Sequence, residues 1–111
     1  MDIIIITGSN GLIGGDAVEY YSSKFDYVIA NPPFSLEEWG REVWEQDPDG
    51  RAFAGLPPKS FGDFAWVQHM ISSTTSGSGR VAVVVPQGVL SRGNVEKTIR
   101  RNILEQDILE V

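Results

Sequence analysis

Along the chain, short runs of β-branched and aliphatic residues alternate with stretches of helical periodicity, and glycine or proline cuts off each run. Residues 2–6 carry an Ile3-Ile4-Ile5-Ile6 run ended by Thr7-Gly8, the pattern of a short, fully buried strand. Residues 11–23 suit a helix opened by a glycine-rich turn. Tyr27-Val28-Ile29-Ala30 reads as a second strand, stopped at Asn31-Pro32 because proline cannot continue a central ladder. From Ser35 to Ser60 the pattern is irregular, with turn signals at Asp47-Pro48-Asp49-Gly50 and Pro57-Pro58. Structureless stretches of that length in a small domain tend to serve function.

Residues 61–73 predict a helix, because Phe61, Phe64, Val67 and Ile71 fall within an arc of about 120° at helical spacing. Ser76-Gly77-Ser78-Gly79 ends it, Ser72–Ser78 reads as a flexible connection, and Val81 to Val85 reads as a buried strand closed by Pro86. Asn94 is placed to cap a helix carrying Val95, Ile99 and Ile103 on one face, with Arg100 and Arg101 near its C-terminal end. Ile108-Leu109-Glu110-Val111 reads as the start of another strand, whose exposed edge would favour association with a second copy. The predicted fold class is α/β: a partial, Rossmann-like parallel sheet with flanking helices, order β-α-β-loop-α-β-α-β. Ligands in such sheets bind beyond the carboxyl ends of the strands. Both segments with chemical promise, Gly8–Gly14 and Asn31–Phe34, follow strand ends.

Composition narrows the classes. A chain of 111 residues, 41% hydrophobic and 22% charged, has the balance of one small globular domain. No apolar run approaches the roughly 20 residues that cross a membrane, so no membrane association is expected. With no cysteine, disulfides and thiolate metal sites are excluded, which suits a cytoplasmic location. Net charge is −6, so any DNA contact would be local or shared with partner subunits. Arg92, Lys97, Arg100 and Arg101 form the nearest basic patch, for which a solvated helix face is the plainer reading.

Asn31-Pro32-Pro33-Phe34 carries the clearest chemistry. The exocyclic amine of adenine is a poor nucleophile because its lone pair is delocalised into the ring. Methyl transfer to it needs a more tetrahedral nitrogen and acceptors for its two hydrogens. An asparagine side-chain oxygen and a neighbouring backbone carbonyl can supply both, held where charge develops. Consecutive prolines fix their own φ and keep the preceding residue extended, with no amide hydrogen to capture the carbonyls. An aromatic at Phe34 can stack on a base taken out of the duplex. The plainer alternative is a turn that ends a strand, since Asn-Pro is a common punctuator.

The wider segment has company. Asp26–Ser35, Gly55–Ser60, Gly62–Met70, Gly79–Gly93 and Glu96–Arg101 co-occur in an order that resembles the modification subunit of type I restriction-modification enzymes. That family consists of S-adenosylmethionine-dependent adenine-N6 DNA methyltransferases, and the resemblance covers residues 26–111. It implies that Asn31 and the Pro32 carbonyl hold the target amine, that Phe34 stacks on the flipped adenine, and that specificity and restriction subunits are partners. Residues 1–24 resemble instead the start of an NAD-dependent nucleotide-sugar epimerase of the extended short-chain dehydrogenase/reductase family. There Gly8, Gly11 and Gly14 have the spacing of a dinucleotide-binding turn after a strand. The acidic ribose-binding residue that either cofactor needs is not at the end of the second strand, where Ala30-Asn31 stands. The family's S-adenosylmethionine loop is not recognisable. The two-part reading is a dinucleotide-fold-like segment at 1–25, joined to a partial methyltransferase catalytic domain at 26–111.

Three functions stay open from sequence: a DNA adenine methyltransferase fragment inactive alone, a module binding NAD or another nucleotide, and a folded chimera without catalysis. Tyr20 and Lys24 match a Tyr-x-x-x-Lys pattern but lie in the first helix, where coincidence explains them. His69, the single histidine, has no partner for metal ligation, and no metal is expected. Trp39 and Trp44 either border a cleft or anchor the loop by packing. Asp63 and Glu96 show no charged catalytic partner and read as a cap or surface residues.

Overall fold

The computed structural model describes residues 3–7, 24–47 and 50–109, the first of these as backbone. Strand β1 (Ile3–Thr7), strand β2 (Tyr27–Asn31) and strand β3 (Arg80–Val83) form a parallel sheet in the order β1-β2-β3. The register sets Thr7 beside Asn31 and Ala30 beside Val83, so β1 and β2 leave the sheet at a shared edge. Helix α1 (Arg41–Gln46) lies in the long connection after β2. Helix α2 (Asp63–Ser72) precedes β3, and helices α3 (Gly88–Ser91) and α4 (Asn94–Glu105) follow it. The expected helix over residues 11–23 falls outside the described residues.

Sheet burial is one-sided among the described side chains. Val28 and Ala30 of β2 are buried, whereas Tyr27, Ile29 and Asn31 face outward. The expected buried strand at Val81 to Val85 is shorter, and alternates between exposed and half-buried positions. Ile108 and Leu109 are irregular and exposed, so no strand begins there; Glu110 and Val111 lie outside the described residues.

Helix α2 is the structural centre. Periodicity pointed to one apolar arc, but the helix is buried nearly all round. Trp66 and Met70 pack with Val28, Ala30, Trp39 and Trp44 in one cluster, while Phe64 joins Ala54, Val89, Ile99 and Ile103 in a second. Phe61, Val67 and Ile71 of the expected arc are only half-buried. A helix wedged between two cores must satisfy polar groups inside, and Gln68 does so. Its Oε1 accepts from the Ala54 amide at 2.9 Å, and its Nε2 donates to the Gly55 carbonyl at 2.9 Å. Asn102 of α4 donates to the Ala54 carbonyl at 2.7 Å, so two helices tie down the same loop.

The long connection at 35–60 is therefore packed. Trp39 and Trp44 are core residues in edge-to-face contact at 5.6 Å, which decides for anchoring over a cleft border. The buried Arg51 guanidinium lies 4.8 Å from the Trp44 ring centroid. At the Asp47 turn, the Asp47 side chain accepts from the Arg51 amide at 2.7 Å; Pro48 and Asp49 lie outside the described residues. Pro57 and Pro58 present carbonyls to Arg41 Nε and Trp39 Nε1, each at 3.2 Å.

Beyond α2 the chain turns tightly. Ser73 Oγ and Thr74 Oγ1 donate back to the His69 and Met70 carbonyls, and Gly79 N–H closes onto the Thr75 carbonyl at 2.9 Å. A Cβ at Gly79 would meet Thr74 and the Thr75 backbone, so this segment is a fitted turn and not the loose connection its composition suggests. In α4, Glu96, Ile99 and Ile103 make the buried face, while Val95 is exposed. Asn94 does not cap the helix: it occupies the first turn with φ of 55°, and no side-chain cap bond forms.

Two consequences can be measured. His69 is buried against Trp66, and desolvation lowers its pKa from 6.5 to about 4. Its neutral form is thus favoured in the folded state, and the unfolded chain takes up a proton first as pH falls. Stability contributed this way is present above pH 6.5 and declines as pH falls from 6.5 towards 4, by roughly 3 kcal/mol in all. Urea unfolding at pH 7 and pH 4.5 is expected to show a smaller loss in His69→Gln than in the parent chain. Gly62 buries its Cα against Trp39, and a Cβ there would lie 2.8 Å from Trp39 Cγ. Gly62→Ala is expected to destabilise the chain by about 1–3 kcal/mol, read as a shift of the urea midpoint.

Candidate functional site

The proline pair follows β2 directly and turns the chain off the edge of the sheet. Asn31 ends the strand as an exposed residue, Pro32 is buried, Pro33 is half-buried, and Phe34 is 48% exposed. The middle of the corner is thus anchored while Asn31 and Phe34 are presented to solvent. A strand end explains this pattern: Val28 and Ala30 point into the core, and Asn31, one residue on, falls on the opposite face.

Immediately after Phe34 the backbone is held in an uncommon conformation. Ser35 has φ of 51°, in the left-handed region where non-glycine residues are rare. Two hydrogen bonds to the start of α2 hold it there. Ser35 N–H donates to Asp63 Oδ1 at 2.8 Å, and Gly62 N–H donates to the Leu36 carbonyl at 2.9 Å. The corner is therefore fixed by the buried Pro32 on one side and by the first turn of α2 on the other.

Asp63 is neither a cap nor a surface residue. Its carboxylate is 2% exposed and also accepts from Arg92 Nη2 at 2.6 Å. Arg92 holds Glu96 at the same time, with Nε to Oε1 at 2.6 Å and Nη2 to Oε2 at 2.9 Å. Glu96 is likewise buried, its side chain 4% exposed. The guanidinium carbon lies 4.2 Å from the Phe61 ring centroid, a cation–π contact. Hydrogen bonding to Glu96 is the largest cause of a raised Arg92 pKa, so the guanidinium stays charged throughout. Two buried carboxylates share one cation, an arrangement that compensates their desolvation.

These three residues are the functional-site neighbours that sequence reasoning missed. Arg92 and Glu96 stand four apart, a readable spacing for an ion pair, but Asp63 lies 29 positions away from Arg92. The basic patch divides accordingly. Arg92 is engaged with carboxylates, and Arg100 Nη1 donates to the carbonyls of Val89 and Arg92 at the end of α3. Lys97 and Arg101 remain as the exposed, solvated pair.

Gly8, Gly11 and Gly14 lie outside the described residues. The described residues place no carboxylate at the end of β2 for a ribose, where Ala30-Asn31 stands. They do not by themselves make a nucleotide cofactor site. Among them there is no cluster of three or more potential metal ligands, and no helix is long and apolar enough to cross a membrane.

Comparison with known proteins gives a consistent result. Residues 6–111 match the model of the N-6 DNA methylase family. The MjaVII type I restriction enzyme methylase subunit of Methanocaldococcus jannaschii is 38% identical over 96 residues, covering 81% of this chain and 16% of that protein. The MjaIX methylase subunit of the same organism is 36% identical over 115 residues, covering 96% of this chain and 20% of that one. Among solved structures, the methyltransferase subunit of a type I restriction-modification system from Streptococcus thermophilus is 42% identical, with a TM-score of 0.65, covering 75% of this chain and 18% of that one. The chain thus spans between a sixth and a fifth of the length of these relatives. The family match takes in Gly8, Gly11 and Gly14 and runs past residue 25, and it lends no support to an epimerase-like start or to NAD at those glycines. The chain belongs to the N-6 DNA methylase family and corresponds to a segment of type I restriction-modification methylase subunits.

Proposed function

We propose that this segment supplies the target-base corner of a type I restriction-modification methyltransferase, which transfers a methyl group from S-adenosylmethionine to adenine N6 in DNA. The observation that carries the reading is the presentation of Asn31 and Phe34 at a strand end, with Pro32 buried between them. In this role the Asn31 side-chain oxygen accepts one hydrogen of the adenine amine and the Pro32 carbonyl accepts the other. Both acceptors stabilise the nitrogen as it becomes tetrahedral and gains positive character. Phe34 offers its exposed ring to the face of a base swung out of the duplex. S-adenosylmethionine would supply an electrophilic methyl group; the described residues contribute the base-holding side of the reaction and not the cofactor's site.

The partners follow from the relatives and from charge. DNA is the substrate, and specificity and restriction subunits complete the assembly. A net charge of −6 leaves the segment without a general affinity for the phosphate backbone, so the contacts that hold the duplex belong elsewhere in the complex.

Tritium transfer from labelled S-adenosylmethionine to DNA tests the reading. In the intact methylase carrying this segment, Asn31→Ala is expected to lower turnover by on the order of 100-fold or more. Unchanged turnover would overturn the assignment. The 111-residue chain alone is expected to give no transfer above background; turnover by it that disappears in Asn31→Ala would overturn that second expectation.

A further inference from the structure

We infer that Arg92 is a positioning residue for the Asn31–Phe34 corner, acting through Asp63 on the backbone of Ser35; this rests on the corner's proposed contact with the target base. The path is short and continuous. Ser35, whose φ is 51°, donates its amide to Asp63 Oδ1 at 2.8 Å, and the other oxygen of that carboxylate takes Arg92 Nη2 at 2.6 Å. Nε and a second bond from Nη2 go to Glu96 at 2.6 and 2.9 Å. One oxygen of Asp63 takes the Ser35 amide and the other takes Arg92, so a single carboxylate ties the corner's backbone to the guanidinium.

Three surrounding features set the position of Arg92. Phe61 lies under the guanidinium at 4.2 Å, Glu96 holds it from the first turn of α4, and Gly88 leaves room for it. A Cβ at Gly88 would fall on Arg92 Nη1 and within 2.8 Å of its Cζ. Glycine at 88 is thus a space requirement of the guanidinium. The planar fork that reaches both carboxylates is a property of arginine, which lysine does not reproduce. Helices α3 and α4, distant in sequence from the proline pair, thereby fix the conformation of the residue that follows Phe34. A buried carboxylate stripped of its cation would draw in water or a proton, and either loosens its hold on the Ser35 amide.

Two readouts test this. Amide hydrogen exchange of the 111-residue chain is expected to show the Ser35 amide opening about tenfold faster in Arg92→Gln, with the Val28 and Met70 amides unchanged. Gly88→Ala keeps every charge and only pushes the guanidinium aside; it is expected to give the same selective acceleration, and it decides the matter should Arg92→Gln lose the core amides as well. In the intact methylase, tritium-transfer kinetics of Arg92→Gln are expected to show kcat lowered by up to about 100-fold. KM for S-adenosylmethionine and for DNA should be nearly unchanged, with partial recovery in Arg92→Lys. Asn102→Ala, which removes a structural bond to Ala54, is expected to lower stability and leave kcat in place. Ser35 exchange unaltered in both Arg92→Gln and Gly88→Ala would overturn the inference and leave the base-contact reading standing. Accelerated Ser35 exchange with Asn31→Ala still fully active would do the reverse.

Discussion

A single buried carboxylate joins the corner that follows β2 to the C-terminal helices. Asp63 sits at the first residue of α2, takes the Ser35 amide with one oxygen and Arg92 with the other, and is almost entirely removed from water. An ionised carboxylate in that setting is tolerable only with charge and hydrogen bonds to compensate it. The compensation comes from two places far apart in the chain: the residue after the proline corner and the junction of α3 with α4. Helix α2 therefore does more than cover the sheet. It is the member to which the strand end, the long connection and the C-terminal helices are all referred.

The rest of the packing serves the same helix. Trp39 lies against Gly62, one residue before Asp63, and its indole nitrogen reaches the Pro58 carbonyl. Gln68, five residues after Asp63, satisfies the backbone of Ala54 and Gly55 inside the molecule. The connection between β2 and α2 is thus held at both ends of its course, and the corner it begins with inherits that rigidity. Catalysis by preorganised acceptors requires that rigidity, because an acceptor free to move would reorganise as charge develops.

Much of this was legible in the sequence where the signal is local. The Ile3–Ile6 run, the Tyr27–Ala30 strand stopped by Asn-Pro, and the helix before the Ser-Gly stretch all lie where β-branching, proline and periodicity placed them. The position of the corner was legible because Asn31-Pro32-Pro33 stops a strand; the chemistry proposed for it rests on four consecutive residues. What failed was one-dimensional reading of burial. Phe61, Val67 and Ile71 mark one helical face, but α2 has two cores to fill, and Trp66 and Met70 lie off that arc. Val95 was assigned inward by the same logic, and Glu96 took the buried place because Arg92 stands ready to pair with it. Asp63 and Arg92 could not be matched from spacing, since tertiary folding alone brings them together. The epimerase resemblance drawn from the glycines at 8, 11 and 14 finds no support in the family match, because a glycine-rich turn after a strand is common to many nucleotide-binding folds and its spacing alone does not distinguish them.

The family assignment covers nearly the whole chain, whereas the chain covers a sixth to a fifth of its relatives, so the base-holding role is proposed for this segment within the setting of a full-length methylase. The central claim is geometric: two oxygens and one ring, fixed at the end of β2, meet a single adenine. A crystal structure of the intact methylase on its DNA measures that directly. The expected result places the adenine amine within hydrogen-bond distance of both the Asn31 side-chain oxygen and the Pro32 carbonyl, with the Phe34 ring against the base. A target adenine bound elsewhere, with Asn31 and Phe34 facing solvent or another subunit, would contradict it.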